Sequence, residues 1–240
     1  MENGPLNFTK KKIKDLVIKT LLWTVLLVLT VQTVQRWVAD VCLIPSNSME
    51  NTILAGDRIL VCKSGSNAIR RNDVMIFNHP DGSGVQLIKR CIGLPGDTVT
   101  LHDGVVYING RTVAVPPTVK MSPEDYPVDF PLQSLGWTIN NYGPVVTPAK
   151  GLSVPLDSVN TNLYRHIIGR ETEGQMPAEC HTFRTDCYFV LGDNRNHSID
   201  SRYWGFVPGY AIIGKATFVY FSRDPNQKTI RWNRIGKVLS

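Results

Sequence analysis

Two serines one residue apart, Ser46 and Ser48, stand in the stretch Ile44-Pro45-Ser46-Asn47-Ser48-Met49-Glu50-Asn51-Thr52. A serine hydroxyl is a weak nucleophile until a base removes its proton, and a second donor close by can stabilise the oxyanion formed on attack. The stretch therefore reads either as an exposed serine-rich turn or as a nucleophile with an oxyanion donor, and a base elsewhere in the chain decides between them. The candidate base is Lys89. In Val85-Gln86-Leu87-Ile88-Lys89-Arg90-Cys91-Ile92 the side chains alternate between faces, so Lys89 shares a face with Val85, Leu87 and Cys91. An ammonium held among apolar groups loses solvation, and its pKa falls toward the range where the neutral amine accepts a proton. The bland alternative is a lysine that snorkels to water or pairs with a carboxylate. An orienting partner for the amine could come from Leu191 to Gly205, a glycine-bounded loop dense in polar side chains, in which Asp200 and Arg202 can pair.

Other chemistries fail on spacing. The chain has no Gly-x-Ser-x-Gly elbow, no Ser-x-x-Lys set with a Lys-Thr-Gly partner and no Gly-x-x-x-x-Gly-Lys phosphate loop. His79, His102 and His197 lie in turn sequences with no distinctive motif around them. The five cysteines include no Cys-x-x-Cys pair, and no His-Glu-x-x-His helix is present, so neither a metal nor another cofactor is expected. Cys180 and Cys187 are spaced either for a small disulfide loop or for two free, packed thiols. The formal charge of +6 owes much to Lys10, Lys11, Lys12, Lys14 and Lys19. Without that cluster no basic stripe remains, which argues against a nucleic-acid partner.

The elements that must position these residues begin with an apolar segment, 16–38, carrying Lys19 near one end and Gln32, Gln35 and Arg36 near the other. About 20 apolar residues of helix cross a bilayer, and this segment is apolar nearly all round from Leu21 to Val31. Trp23 and Trp37 lie toward its ends. Val38-Ala39-Asp40-Val41-Cys42 offers no small-x-small cleavage site, so an uncleaved anchor is expected rather than a removed signal. The lysine cluster makes 1–15 a cytoplasmic basic tail and sends 40–240 to the outer side. The body reads as mainly β. Strands are expected over Asp57–Lys63, Asp73–Phe77, Val85–Ile92, Thr98–Leu101, Val105–Asn109, Cys187–Leu191 and Ala211–Phe221, with a short closing strand at Thr229–Trp232. His102-Asp103-Gly104 predicts a tight hairpin with its glycine in a left-handed conformation. From about 112 to 186 prolines are frequent and periodicity is weak, which predicts an irregular inserted lobe holding a few short strands, such as Gly143–Val146, and no helix alternating with them.

In combination, four segments resemble the bacterial type I signal peptidases, membrane-anchored serine proteases. They are Ser46-Asn47-Ser48-Met49, Gly56-Asp57-Arg58-Ile59-Leu60-Val61, Lys89-Arg90-Cys91-Ile92-Gly93-Leu94-Pro95-Gly96-Asp97, and Gly192-Asp193-Asn194-Arg195 through Asp200-Ser201-Arg202-Tyr203-Trp204-Gly205. Four motifs in order over most of the chain are a specific signal. The resemblance implies a signal-peptidase-like β catalytic core behind one transmembrane helix, in a single-pass protein of the bacterial inner membrane. It implies Ser48 as nucleophile, Lys89 as general base, the Ser48 N–H and Ser46 hydroxyl as oxyanion hole, Ser198 holding the Lys89 amine, and an Asp200–Arg202 salt bridge bracing the loop. The implied partners are membrane lipid and exported preproteins with small residues at the first and third positions before the cut, commonly Ala-x-Ala.

Two departures from the family pattern stand out: Asn51 where proline is usual, expected to loosen the turn after the nucleophile, and Asn196 where aspartate is usual, removing a charge from the loop. The competing functions are a catalytically inactive, membrane-anchored binding domain for exported chains and a soluble self-cleaving Ser/Lys regulator. The intact Ser48 and Lys89 argue against the first, and the apolar anchor with no helical DNA-binding module argues against the second.

Overall fold

The N-terminal segment has no apolar stripe for a partner to cover, and in the computed structural model it forms a single helix, α1 (Pro5–Trp37). The structure describes residues 5–37, 39–44, 46–63, 69–121 and 130–239. Val38, Pro45 and residues 122–129 of the expected insertion lie outside the described residues. α1 starts inside the expected basic tail, with proline at a helix-compatible first position. Lys12–Thr33 has a mean hydropathy of 1.8 and is long and apolar enough to cross a membrane. Its threonines satisfy their own hydroxyls: Thr20 Oγ1 donates to the Leu16 carbonyl at 2.9 Å and Thr33 Oγ1 to that of Leu29 at 2.8 Å. Such internal bonds remove the cost of placing a hydroxyl in hydrocarbon.

The body from Val41 onward is a separate compact unit. Its larger sheet draws on strands β1 (Ala39–Leu43), β2 (Asp57–Cys62), β3 (Val74–Asn78), β4 (Gln86–Gly93), β11 (Cys187–Leu191), β12 (Val207–Pro208) and β13 (Ile212–Ser222). Among the described residues its order is β1-β2-β13-β3-β4-β11-β12. Long β13 organises it, pairing antiparallel with β2 through Lys215–Ser222 and with β3 through Ile212–Lys215. β3 shows why both faces are dry: Val74 and Ile76 enter a core with Met49, Ile53, Ile88 and Val219, while Met75 and Phe77 enter another with Cys91, Tyr188 and Val190. The strand bearing Lys89 lies between β3 and β11, with Lys89 opposite Met75. A central position removes Lys89 from solvent without any special sequence around it.

A second sheet, ordered β7-β6-β5-β8, is built from β5 (Thr98–His102), β6 (Val105–Ile108), β7 (Arg111–Thr112) and β8 (Tyr142–Val146). The β5–β6 turn carries Gly104 at φ 76°, left-handed as its sequence predicts, and Asp103 joins it at φ 48°. The 112–186 stretch departs from the expectation of an irregular lobe without helix. It holds β8, the ribbon of β9 (Ser153–Pro155) with β10 (Cys180–Thr182), and a 14-residue helix α2 (Ser158–Glu171). α2 starts at a true cap, the Asp157 side chain accepting from the Asn160 N–H. Only Tyr164, Ile167 and Ile168 are buried on it, an apolar stripe too thin to stand out in the sequence. Packing supplies what periodicity lacks: Tyr164 stacks on Phe206 at 5.4 Å and meets Phe183 at 5.2 Å. The closing strand expected at Thr229–Trp232 is also replaced, by one antiparallel bridge between Arg223 and Ile230 and a 3₁₀ turn at Trp232–Arg234. Cys180 is exposed, Cys187 is buried, and both are free.

Phe189 on β11 is fully buried between Tyr142 and Phe206, at ring separations of 5.7 and 6.0 Å. Phe189→Ala should lower the unfolding free energy by about 3–5 kcal/mol, read from denaturant unfolding followed by tryptophan fluorescence.

Candidate active site

The Ser48 turn is wound by local bonds and nailed down by two apolar side chains. The Glu50 N–H donates to the Asn47 carbonyl, and those of Thr52 and Ile53 both donate to Met49. Met49 and Ile53 are wholly buried. Asn51 adopts φ 77°, left-handed backbone that asparagine tolerates and proline cannot reach. The expected loosening at Asn51 is therefore not what the backbone does: a left-handed residue closes the turn.

This arrangement leaves Ser48 buried, with Lys89 Nζ at 2.6 Å from its Oγ. Lys89 is 4% exposed. Burial pushes its amine down from 10.5 to about 8, Asp200 and Asp193 pull it up, and Arg202 pushes it further down. Ser46 is exposed, and its Oγ lies 3.4 Å from that of Ser48. Among the described residues the Ser48 N–H donates to no backbone carbonyl.

Residues adjacent to the predicted ones join the elements. Arg90 reaches Asp193 through two parallel bonds, Nε to Oδ1 at 2.8 Å and Nη2 to Oδ2 at 2.6 Å, with both side chains wholly buried. Its Nη1 donates to the Asn72 carbonyl. Asp193 Oδ2 also accepts from the Thr52 hydroxyl, which has a single proton and so must accept from Thr118 Oγ1 at 2.7 Å. Asn194 completes the join: its N–H donates to the Ser48 carbonyl at 3.0 Å, and its Nδ2 to the Asn47 carbonyl and Glu50 Oε2. The sequence signal for Arg90 and Asp193 was present, an opposite-charge pair in two polar-rich motifs, but nothing in either motif names the other as partner.

Asp200 and Arg202 form the expected bridge, Nε to Oδ1 and Nη2 to Oδ2, each at 2.9 Å. Asp200 also accepts from the Gly192 N–H, while Arg202 donates to the Ile139 and Arg195 carbonyls. Burial alone would raise the Asp200 carboxyl; Arg202, the Gly192 bond and Lys89 outweigh it and hold the group below its ordinary value. Ser198 does not make the expected bond to Lys89. Its Oγ is buried with no hydrogen-bond partner among the described residues, lying against Gly192, where an added Cβ would stand 2.1 Å from Ser198 Oγ and 2.6 Å from the Ser48 carbonyl oxygen. Only glycine fits there. Arg195 is buried with all three guanidinium nitrogens unpartnered among the described residues, and burial followed by repulsion from Arg202 lowers it to about 10.

Comparison with known proteins places these residues in a family context. The family described as "Signal peptidase, peptidase S26" matches residues 17–221. A probable signal peptidase I-2 of Synechocystis is 34% identical, over 85% of this chain and 71% of that one. Signal peptidase I of Buchnera aphidicola from Baizongia pistaciae is 26% identical, over 98% of this chain and 88% of that one. A crystal structure of a signal peptidase I from Enterococcus faecalis is 25% identical, with a TM-score of 0.34, covering 62% of this chain and 96% of that one.

The depressed Lys89 amine has a consequence for stability. Between about 8 and the ordinary lysine value the unfolded chain holds a proton that the folded chain has released, so stability rises with pH through that window. Below pH 8 the full cost of burying the ammonium is borne. Wild type should therefore gain stability relative to Lys89→Met as pH rises from 8 toward 10, in paired denaturant titrations. A constant difference across that range would mean that the amine titrates normally.

Proposed function

The chain belongs to the signal peptidase family, peptidase S26, and from that premise we propose that it removes signal peptides from exported preproteins with Ser48 as nucleophile and Lys89 as general base. The observation that carries this reading is the 2.6 Å separation of Lys89 Nζ and Ser48 Oγ at a buried amine whose pKa is lowered to about 8. A lysine of that pKa is neutral in roughly a tenth of molecules at pH 7, against fewer than one in a thousand for an ordinary one.

Neutral Lys89 takes the Ser48 proton as Oγ attacks the scissile carbonyl, and the carbonyl π electrons move onto oxygen. The Ser48 N–H, which donates to no backbone carbonyl among the described residues, and the Ser46 hydroxyl would receive that oxyanion. Collapse of the tetrahedral intermediate breaks the C–N bond, and the Lys89 ammonium protonates the departing amine of the mature protein. Water then gives its proton to Lys89 and attacks the acyl-enzyme, releasing the signal peptide with a new carboxylate and returning the serine. Ser198 would contribute by filling the space beside Gly192, or by rotating toward the amine once substrate binds.

The family membership and the apolar α1 support a membrane-anchored enzyme. In our reading the basic residues before the span hold the N-terminus in the cytoplasm and the catalytic body lies on the outer side. Nine residues of chain, 38–46, lie between Trp37 and Asn47, the residue before the proposed nucleophile, and in our reading so short a connection favours substrates still tethered near the bilayer. The expected cleavage sites carry small residues at the first and third positions before the cut.

Purified full-length protein in detergent should cut an Ala-x-Ala preprotein, and both Ser48→Ala and Lys89→Met should abolish cutting while circular dichroism stays unchanged. Undiminished cleavage by folded Ser48→Ala would end this reading. With wild type, kcat/KM should climb with pH through about 8, since only the deprotonated amine is competent. A limb near 6.5 would instead point to a histidine.

A further inference from the structure

The family match ends at Phe221, yet the chain beyond it returns to the Ser48 turn. After a turn closed by bonds between Asp224, Lys228 and Thr229, the tail runs back antiparallel along β13. The Arg231 N–H donates to the Ser222 carbonyl, that of Gly236 to Val219 and that of Leu239 to Thr217. Leu239 is 2% exposed, in the same core as Met49 and Ile53. Through the 3₁₀ turn at Trp232–Arg234, residues three apart share a direction. Trp232 and Val238 face solvent, whereas Arg231, Arg234 and Lys237 face the nucleophile turn.

All three cations end on its carbonyls. Arg231 donates to Ala55 at 3.1 Å, Arg234 Nη2 to Thr52 at 3.1 Å, and Lys237 Nζ to Asn51 at 3.1 Å. Among the described residues these carbonyls accept from no backbone amide, so the three cations satisfy acceptors that the turn leaves open. Arg234 is itself fixed, since Nε and Nη2 bind the wholly buried Asp57 carboxylate at the start of β2. Thr52 is thus held at two points, its hydroxyl by Asp193 and its carbonyl by Arg234. Four residues upstream on the same turn is Ser48.

We propose that Arg234 and Lys237 are positioning residues for the nucleophile: the C-terminal tail clamps the outer end of the Ser48 turn while Asp193 and Asn194 hold its inner side, and the clamp sets the Ser48 hydroxyl within reach of Lys89. The proposal rests on the reading of Ser48 as nucleophile. Neither side chain touches the reacting atoms.

The test uses full-length Lys237→Met, whose side chain is half-buried and whose loss spares the core, and Arg234→Lys, which keeps a cation beside Asp57 but loses the two-nitrogen grip of Nε and Nη2 that fixes the guanidinium against Thr52. Rates are counted per folded molecule on an Ala-x-Ala preprotein, and backbone hydrogen exchange is followed over residues 47–56. A small displacement of a reacting atom is costly, so kcat should fall about threefold in Lys237→Met and about tenfold in Arg234→Lys. KM and the pH limb of Lys89 should be unchanged, exchange at Thr52 and Ile53 should be faster, and Lys237→Arg should restore the rate. Wild-type kcat in both variants overturns the proposal, whatever the exchange. If wild type itself fails to cut, the nucleophile reading falls separately, and unaltered exchange in the turn then overturns the clamp as well.

Discussion

The buried pair of Arg90 and Asp193 is the constraint on which the site depends. Successive residues of β4 point to opposite sides, so a strand that delivers Lys89 to Ser48 must deliver Arg90 somewhere equally dry. Two buried charges survive only when paired and fully hydrogen-bonded, and losing one partner of such a pair typically costs about 3–5 kcal/mol. Arg90 meets this condition with the Asp193 carboxylate and the Asn72 carbonyl, and Asp193 with Arg90 and Thr52. Three chain segments distant in sequence are thereby locked in one geometry: the Lys89 strand, the Ser48 turn and the 191–205 loop. The same bonds that neutralise a buried charge also set the distance from amine to hydroxyl.

The proposed role of Lys89 as base makes a second demand, a neutral amine, and it runs against stability. Lys89 needs dehydration strong enough to release its proton, yet Asp200 and Asp193 stand close enough to favour the ammonium. Committing Asp200 to Arg202 and Asp193 to Arg90 blunts that pull, since each carboxylate is largely cancelled by its own guanidinium. Arg195 adds a further buried guanidinium, with no hydrogen-bond partner among the described residues. Catalytic sites are commonly built from such locally unfavourable elements, carried by packing elsewhere. Here that packing is the dry, two-faced sheet around β3 and β13.

Much of the fold was legible because short apolar, β-forming runs bounded by turn residues declare themselves as strands. β2, β3, β4, β5, β6, β11 and β13 lie within a residue or so of where apolar patterning and turn chemistry put them. α2 was hidden because a helix packed through only Tyr164, Ile167 and Ile168 leaves a thin periodic trace, and its partners Phe183 and Phe206 come from later in the chain. The closing segment misled for the opposite reason. Thr229–Trp232 has β-forming residues, but Arg231 and Arg234 are drawn toward the carbonyls of Ala55 and Thr52, and the backbone coils into a 3₁₀ turn to present them.

By itself the sequence determined residue types and local shape: an apolar helix with a basic flank, a β-rich body, a serine turn, a lysine on a strand with apolar neighbours, and a polar glycine-bounded loop. Each of those is a statement about neighbours within a few residues, where sterics, periodicity and turn preferences act. Tertiary structure alone decided which groups meet. Lys89 reaches Ser48 across 41 residues, Arg90 reaches Asp193 across 103, and Arg234 reaches Thr52 across 182. Whether Lys89 is dry enough to be a base depends on β3 and β11 flanking its strand, and whether Asn51 loosens or closes its turn depends on a backbone angle. Such contacts carry no local signature, because the chain pays the entropy of bringing distant segments together only when the whole sheet forms.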